Sequence, residues 1–583
     1  MGKLYLVNTA IEDTWPTDGP ILFLGEWCRL FNRKNIWSLR EQKIVNYHWD
    51  DRKKYLKDYH QINSIYEEVL VEMTSQLNQM HNVNYSSKYW RILVGPWLIF
   101  FIQIIFDRWT MLKIALKNSE PLICNVLDRD ESQFIAQNML DFGDKAINDD
   151  WNEIVFSQLL QAFFSDEIKI NFIKLSEQKK SKVSKSSKKI SLRSKALRNW
   201  SKFSNKFVIN DEFFFIDSLM PRVFDLKVQF KLKQLPKVWS HFALPKFEYS
   251  KAKRDFNLNL PNNSFYKILK YMIPKHMPLV YIEGYESTSN QVNLINWPNN
   301  PKAIITANIA KHDGTNMWIA KKSEERVPLI MIQHGGVYGI SLFSSYEDHE
   351  IAVSDHWLSW GWSNLNKSKV IPFIQNKHMN NSENYDQNGG ALLVGVSTVR
   401  YSCQMIAHPI AGQWSSYFQD QIRFVKNLPI SIRNFLTVRL MHIDHGVCQK
   451  ERWQEIFADI DLDDASGPLL PLIEKSRIYI STYNATTFLE SLSWNIPTLI
   501  FWDVDHNELS KNAKYDFDLL KSVGIFHDTP ESAAIHLTEV WDDIDSWWKD
   551  KKLQDIREDF CFKYSRKSKD PLSEFVLKIQ SLV

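Results

Sequence analysis

The chain has 583 residues, of which 44% are hydrophobic and 24% charged, a composition typical of a globular protein with about two large domains. It excludes fibrous, collagen-like and wholly disordered classes. Because 71 Lys and Arg nearly balance 68 Asp and Glu, the formal charge is only +3, which disfavours nucleic acid as a partner. The five cysteines lie far apart without a CxxC pair, so we expect a reducing cytoplasm and neither a disulfide framework nor a cysteine zinc site.

The N-terminal region predicts a strand at 3–9, a second strand at 21–24 and mostly helical structure over 55–118. Acidic residues follow the first strand where a signal peptide needs a long apolar region, so export is not expected. The most apolar run, Ile92–Phe106, is interrupted by glycine and proline and is shorter than the ~18 residues that a transmembrane helix needs. It is predicted to be a buried core helix.

Aromatic and charged side chains are mixed in three early segments, 26–27, 48–52 and 107–109. Carbohydrate sites use such mixtures, with a ring under the sugar C–H bonds and charged groups on the hydroxyls. On this interpretation Trp27, Asp50 and Arg52 bind an acceptor. Buried ion pairs covered by tryptophan rings would give the same pattern, and both interpretations stay open.

Residues 179–206 carry eleven Lys or Arg, many Ser and no acidic residue. Such a segment cannot bury enough apolar surface to order itself well. It is either a solvated loop or a tether to anionic lipid head groups, to which each basic residue near the surface contributes up to about 1 kcal/mol.

An α/β pattern begins at Pro278, with short apolar strands predicted at 279–284, 302–308, 328–336 and 356–362. Loops at the carboxyl ends of parallel strands are the usual ligand sites, because a rigid sheet holds them and helix N-termini point into them.

The sequence Gln333-His334-Gly335-Gly336 follows one of these strands. The two glycines let the backbone approach a ligand closely. His334 is interpreted as a general acid or base, or as a phosphate partner, and the alternative is a histidine satisfied by backbone groups in a tight turn.

Two carboxylates, Glu283 and Asp313, are expected at the ends of neighbouring strands. A retaining transferase would use one of them as nucleophile, and an inverting one needs a carboxylate or a histidine to take the acceptor proton. The sequence does not choose between these roles, or between them and an ordinary helix-capping acid.

A polar linker is predicted at 376–390, followed by a second α/β unit from Ala391. Within that unit a strand ends at Ser481, and a helix is expected to begin at Thr486 or Thr487. We expect phosphate oxygens on the polar groups of this loop and on the helix N-terminus, with ribose hydroxyls on Glu490. The polar groups concerned are those of Ser481, Thr482, Asn484, Thr486 and Thr487. A capping box between Thr487 and Glu490 is the structural alternative, and both can hold together.

The strand, Ser/Thr loop, helix and second strand of 477–503 are similar to the nucleotide-binding half of GT-B glycosyltransferases. The whole chain resembles a family of transferases encoded in bacterial O-antigen and surface-polysaccharide clusters and first named from spirochaetes. The segments that carry this resemblance are LGEWCRLF (24–31), YHWDDR (47–52), YWRILVGPWL (89–98), DRW (107–109), IQHGGVYG (332–339), SDHWLSWGW (354–362), VRLMHIDHG (438–446), STYNATTFLESL (481–492) and PTLIFWD (497–503).

The resemblance implies an α/β protein of GT-B type, with two Rossmann-like domains facing across a cleft and extra helices in the N-terminal half. We expect an acceptor-side domain at 1–389 and a nucleotide-sugar domain with C-terminal helices at 390–583. Arg439 and His442 occupy the place where related transferases present basic side chains to the donor phosphate, and a surface ion pair is the alternative for Arg439. No cofactor and no metal are expected. His408-Pro409 is similar to the His-Pro signature of some sialyltransferase-like enzymes, but a dipeptide alone does not define a site.

The resemblance further suggests kinship with transferases that use CMP-activated nonulosonic acids of the Kdo, pseudaminic and legionaminic group. The expected partners are then a nucleotide-sugar donor and a glycan or lipid-linked glycan acceptor in O-antigen, lipopolysaccharide or capsule biosynthesis. We expect a cytoplasmic enzyme, in peripheral contact with the inner membrane through 179–206. The alternatives are a CDP-alditol-type glycerol or ribitol phosphate transferase, a UDP- or GDP-hexose transferase, a sugar-nucleotide epimerase, and a non-catalytic glycan-assembly protein.

Overall fold

The computed structural model describes residues 3–117, 121–174, 207, 209–377 and 384–583. The strands in these ranges form three separate sheets, and every strand pair is parallel. Two of the sheets, of five strands each, lie before residue 390, and the third has six strands. The α/β prediction is therefore confirmed, and residues 1–389 hold one sheet more than a single Rossmann-like domain would.

The N-terminal sheet has the strand order β3-β2-β1-β4-β5. Its strands are β1 (Leu4–Val7), β2 (Ile21–Phe23), β3 (Gln42–Ile44), β4 (Leu122–Leu127) and β5 (Ile168–Ile173). Its helices are α1 (Lys34–Trp37), α2 (Arg52–His81), α3 (Ser87–Leu93), α4 (Gly95–Ala115), α5 (Met139–Ala146) and α6 (Asp149–Phe163). Asp51 caps α2 by accepting from the Lys54 amide. Helix α4 is buried over nearly its whole length, which confirms the core helix predicted from its apolar run.

The middle sheet has the order β10-β9-β8-β7-β6. Its strands are β6 (Phe213–Phe215), β7 (Ala303–Thr306), β8 (Leu329–Ile332), β9 (His356–Ser359) and β10 (Val370–Pro372). Its helices are α7 (Arg222–Lys231), α8 (Ser264–His276), α9 (Tyr285–Leu294), α10 (Asp313–Glu324) and α11 (Ser345–Val353). The predicted strand at 279–284 is wrong: residues 279–281 form a short 3-10 turn that leads into α9.

The C-terminal sheet has the order β13-β12-β11-β14-β15-β16. This is the order of doubly wound nucleotide-binding sheets. The second and third strands are added on one side of the first strand, and the fourth to sixth strands on its other side, so the strand order reverses between the first and fourth strands. Its strands are β11 (Gly390–Val394), β12 (Leu436–Arg439), β13 (Asp461–Asp463), β14 (Ser476–Ser481), β15 (Thr498–Phe501) and β16 (Phe526–His527). Its helices are α12 (Trp414–Asn427), α13 (Ile430–Arg433), α14 (Gln449–Ile456), α15 (Leu470–Glu474), α16 (Thr486–Ser493), α17 (Lys511–Ser522) and α18 (Pro530–Val540).

The last three helices connect the two C-terminal layers of the molecule. They are α19 (Ile544–Trp548), α20 (Lys551–Tyr564) and α21 (Pro571–Gln580). Helix α20 packs on α16 and α17, whereas Phe575 and Ile579 of α21 belong to the core of the middle sheet. The chain thus returns from the C-terminal sheet to the middle one, as the predicted terminal helices allow.

Helices α3 and α4 are the described elements whose length and hydropathy bear on membrane insertion. Among the residues that the structure describes, no single helix is long and apolar enough to cross a membrane. Taken together, α3 and α4 meet those criteria as a pair bent by 69°.

Candidate active site

A cavity of about 350 Å³ opens at the point where the strand order of the C-terminal sheet reverses, between β11 and β14. The loop after β11 lines one side of it with Val396 to Val399, and the loop after β14 lines another with Tyr483 to Ala485. Val337, from the loop after β8, closes it from the middle sheet. In open parallel sheets this reversal point is the usual place for a nucleotide, because the two flanking loops diverge there.

Three side-chain oxygens at this cavity have unused hydrogen-bonding capacity. Thr398 Oγ1, Asn484 Oδ1 and Asn507 Oδ1 are buried without a hydrogen-bond partner within the part of the chain that is described. Leaving a buried polar atom unpaired costs about 1–3 kcal/mol. All three residues line the same cavity, so its wall is polar as well as apolar.

The loop after β8 contacts the N-terminal end of α16 across the cleft. The Gly336 amide donates to Thr486 Oγ1 at 3.1 Å. A Cβ atom built on Gly336 would lie 2.6 Å from the Ala485 carbonyl oxygen, so only glycine fits this approach. The glycines were expected to let the backbone approach a ligand, whereas Gly336 closely approaches the protein backbone of the loop after β14.

His334 lies at the carboxyl end of β8 with its side chain 27% exposed. Its Nδ1 is 3.4 Å from Glu350 Oε1, and the Tyr338 hydroxyl is 3.4 Å from its Nε2. Burial, and after it the positive charge of Lys377, lowers the pKa of His334 to about 4. Burial raises the pKa of Glu350 well above its usual range. The imidazole is therefore neutral near pH 7, the form that can accept a proton.

Two lysines not singled out in the sequence act on His334. Lys377 and Lys311 both lower its pKa electrostatically, while burial lowers the pKa of Lys377 itself against the opposing charge of Glu490. Lys377 follows β10, and Lys311 follows β7, so the two come from loops at the same edge of the sheet, with β8 and β9 between their strands. Lys377 falls within the predicted linker, where a lone lysine carries no signal without the strand order.

Asp217, His241 and His312 form a second group at this edge, here named the His-His-Asp cluster. One ligand atom from each lies within 4.8 Å of the other two. Asp217 also acts electrostatically on His334, so the cluster and the histidine share the cleft. No sequence spacing could have revealed it, because its members come from three separated loops.

The predicted phosphate-binding loop is present, but several of its hydroxyls already have protein partners. Thr482 Oγ1 donates to the Val394 carbonyl at 2.9 Å and lies 2.6 Å from the Tyr417 hydroxyl. Ser481 Oγ donates to the Tyr483 carbonyl at 3.2 Å. Thr487 Oγ1 accepts from Tyr479 at 2.7 Å, and Asn484 Nδ2 donates to Ser341 at 3.1 Å. Of these residues, Asn484 is the one whose side-chain oxygen is buried without a hydrogen-bond partner among the described residues.

The helix of this loop begins at Thr486, as expected, but the capping-box alternative is wrong. Its N-cap residue is Ala485, and no side chain caps it. Glu490 lies on the first turns, largely buried, within electrostatic range of Lys377.

The basic residues expected at the donor phosphate lie elsewhere. Arg439 donates to Asp463 Oδ1 at 2.7 Å and to the Gly467 carbonyl at 2.6 Å, so its guanidinium is held by β13 and the loop after it. His442 is exposed. Arg439 therefore forms an ion pair, as the alternative interpretation expects, with Asp463 as its partner.

Glu283 and Asp313 are held by protein groups and do not end strands. Glu283 accepts two bonds from the buried Arg254, from Nε at 2.7 Å and from Nη2 at 2.8 Å. Asp313 accepts from the Met139 amide at 2.9 Å and from the Tyr281 hydroxyl, and burial raises its pKa to about 6. Both carboxylates therefore connect separate elements of the fold through hydrogen bonds.

Trp27, Asp50 and Arg52 lie where the N-terminal region meets the C-terminal half. The Trp27 ring packs against Phe156 and Tyr401. Asp50 accepts from Gln413 at 3.0 Å. Arg52 donates to both carboxylate oxygens of Glu508, at 2.7 and 2.8 Å. These contacts are the structural alternative that the mixed pattern left open.

A larger cavity of about 860 Å³ lies between α2, the loop after β9 and α17. Charged groups along its wall are paired, since Lys367 donates to both Glu347 and Asp348. The smaller cavity is the better candidate despite its size, because it lies at the sheet reversal and its polar atoms lack partners.

Two parallel sheets whose carboxyl edges meet across a cleft, with a cavity at the reversal point of the second, define the GT-B class of α/β proteins. The chain belongs to the LIC12162 family of transferases, whose family model matches residues 4–579. The recognition made from the sequence motifs is thereby confirmed, and the protein is a transferase.

Solved structures give distant similarities. MurG of Acinetobacter baumannii has 12% identity and a TM-score of 0.32, over 64% of this chain and 99% of MurG. A glycotransferase of kitacinnamycin has 10% identity and a TM-score of 0.30, over 64% of this chain and 98% of its own. A variant of the wall teichoic acid polymerase TagF has 10% identity and a TM-score of 0.29, over 48% of this chain and 73% of its own. A search of curated proteins found no match.

Proposed function

We propose that this transferase is a glycosyltransferase that moves a sugar from a nucleotide-linked donor to a glycan acceptor in the cleft between the middle and C-terminal sheets. The observation that carries the proposal is the cavity at the point where the strand order of the C-terminal sheet reverses, lined by the loops after β11, β14 and β8. The nucleotide would occupy this cavity, and the sugar would extend past Val337 toward His334.

His334 is the proposed general base of an inverting transfer. The acceptor oxygen attacks the anomeric carbon, the bond from that carbon to the phosphate oxygen breaks, and His334 takes the acceptor proton. Lys311 and Lys377 are cations that act electrostatically on His334, and they would stabilise the negative charge of the departing phosphate. Because Glu283 and Asp313 are engaged by protein donors, a covalent step on either is disfavoured.

For the donor we propose a CMP-linked nonulosonic acid. Such a donor carries a carboxylate beside its anomeric carbon as well as a phosphate, so its site needs more than one positive group. Lys311 and Lys377, from two loops at the same sheet edge, meet that need. A bound anion would also raise the pKa of His334 and improve it as a base.

A two-part experiment tests this function. Thermal shifts with CMP, CDP, UDP and GDP identify the nucleotide, since a ligand that binds only the folded state raises the melting temperature. We expect CMP to give the largest shift and a CMP-nonulosonic acid to be consumed. A preference for CDP with turnover of CDP-glycerol supports the alditol phosphate alternative, and one for UDP or GDP supports a hexosyltransferase. Conversion of a UDP-sugar without an acceptor supports an epimerase.

The variant His334→Gln separates catalysis from folding. It should abolish transfer while leaving the melting temperature and nucleotide binding close to wild type. His60→Gln, at an exposed position on α2, is the matched control and should keep full activity. If His334→Gln retains activity, or if no donor is consumed and surface-glycan assembly survives this change, the catalytic proposal fails and a non-catalytic assembly role gains support.

The membrane contact proposed for 179–206 falls on residues outside those that the structure describes. Cytoplasmic placement at the inner membrane face follows from a lipid-linked acceptor. Deletion of 179–206 should weaken flotation with anionic liposomes at low salt, and unchanged flotation would refute the contact.

A further inference from the structure

The His-His-Asp cluster is built from three loops at the carboxyl edge of the middle sheet. Asp217 lies two residues beyond β6, and His312 lies between β7 and α10. His241 comes from the segment between α7 and α8. The edge of a parallel sheet is where ligand groups from different loops converge. None of these three side chains takes part in the transfer chemistry proposed above.

The distances within the cluster suit a small cation. His241 Nε2 lies 3.2 Å from Asp217 Oδ2. Tetrahedral ligands with metal bonds of about 2.0–2.1 Å are separated by about 3.3 Å, so this pair already has the required spacing. The third ligand atom, from His312, lies within 4.8 Å of both, and binding one ion requires its ring to turn out of the stack with His241.

The contacts around the two rings also bear on metal binding. The imidazole rings of His241 and His312 stack at 3.5 Å, an arrangement that favours two neutral rings over two cations. Thr315 Oγ1 lies 2.8 Å from His241 Nδ1, and with an ion bound in place of the proton between Nε2 and Asp217 it would accept the Nδ1 proton and leave Nε2 to the ion.

We propose that Asp217, His241 and His312 bind one divalent transition-metal ion, with Zn²⁺ the best fit, through one carboxylate oxygen and one nitrogen of each ring. Two nitrogen ligands disfavour Mg²⁺ and Ca²⁺, which prefer oxygen. The Asp217 and His241 side chains are 29% and 21% exposed, so a fourth position is open to water or to an anionic oxygen of a substrate. The site lies within electrostatic reach of His334 and does not depend on the identity of the donor.

Titration calorimetry of the metal-free full-length chain with Zn²⁺ tests the proposal, and Co²⁺ absorption reports the ligand geometry. We expect one Zn²⁺ per chain and no response to Mg²⁺. His312→Ala and Asp217→Asn should each weaken Zn²⁺ binding at least about ten-fold, since even the loss of an outer-shell partner commonly costs that much. Asparagine suits position 217 because the backbone there is left-handed, with φ of 49°.

His536→Ala is the matched control, since His536 also stands beside a second histidine ring, that of His527. It should leave the affinity and stoichiometry unchanged, and far-ultraviolet circular dichroism should show that all three variants fold. No saturable binding by the wild-type chain overturns the proposal and leaves the cluster an ion pair. Binding that survives unchanged in both His312→Ala and Asp217→Asn overturns it as well. Because no nucleotide is present, either result is independent of the proposed transferase activity.

Discussion

The paired glycines after β8 allow a sharp test of the contact between the two sheets. In Gly336→Ala the new Cβ would lie 2.6 Å from the Ala485 carbonyl oxygen and 2.8 Å from Thr486 Cα. Both are backbone atoms, so ordinary contact near 3.4 Å requires one loop to retreat by about 0.8 Å. Overpacking of this kind typically costs about 1–3 kcal/mol. The loss of the Gly336 hydrogen bond to Thr486 adds about 1 kcal/mol.

Gly335→Ala is the matched control, since its Cβ would meet only Val337 Cγ2, at 4.0 Å. Chemical denaturation of the two variants and of the wild type, followed by nucleotide titration, gives the comparison. Gly336→Ala should lower the free energy of unfolding by a few kcal/mol. It should also weaken nucleotide binding, whereas Gly335→Ala should change either quantity by less than about 0.5 kcal/mol. Equal behaviour of the two variants would refute the contact geometry.

Three further changes probe the cavity, a buried ion pair and acid stability. Thr398→Val removes an unpaired buried hydroxyl, so the ligand-free protein should be as stable as wild type or up to about 1–3 kcal/mol more stable, while calorimetry shows weaker nucleotide binding. Weaker stability with unchanged binding would contradict this. Glu283→Gln leaves buried Arg254 without its carboxylate and should cost about 3–5 kcal/mol in urea unfolding; full stability with lost activity would instead restore a catalytic role. Burial lowers the pKa of His276 from 6.5 to about 3, so its contribution to stability is complete above pH 6.5. It falls by about 1.4 kcal/mol per pH unit between those two values. His276→Gln should flatten the fall in unfolding free energy between pH 6.5 and 4, and an unchanged slope would exclude His276 as its source.

The C-terminal unit could be predicted closely because its strands are short, apolar and separated by polar loops. The strand expected from Ala391 is β11, and the strand expected to end at Ser481 is β14. The helix expected at Thr486 or Thr487 is α16. In each case local periodicity and a polar break agree with the tertiary fold.

Glu283 shows where local pattern fails. The apolar run before it has the composition of a strand, yet residues 279–281 form a 3-10 turn whose three side chains are buried by tertiary packing. The residues that gather at the cavity and the His-His-Asp cluster could not be found from spacing, because strand order decides which loops meet. Thr398 and Asn507, for example, are more than a hundred residues apart in the chain and line one cavity.

The N-terminal sheet gives this transferase a property that two facing domains alone lack. Its region is fastened to the C-terminal half by Arg52 on Glu508 at 2.7 Å and by Arg400 on Asp149 at 2.6 Å. On the other side, Asp313 ties α10 of the middle sheet to α5. A hinge rotation between the middle and C-terminal sheets would have to break these contacts, so the N-terminal region opposes any change in the width of the cleft.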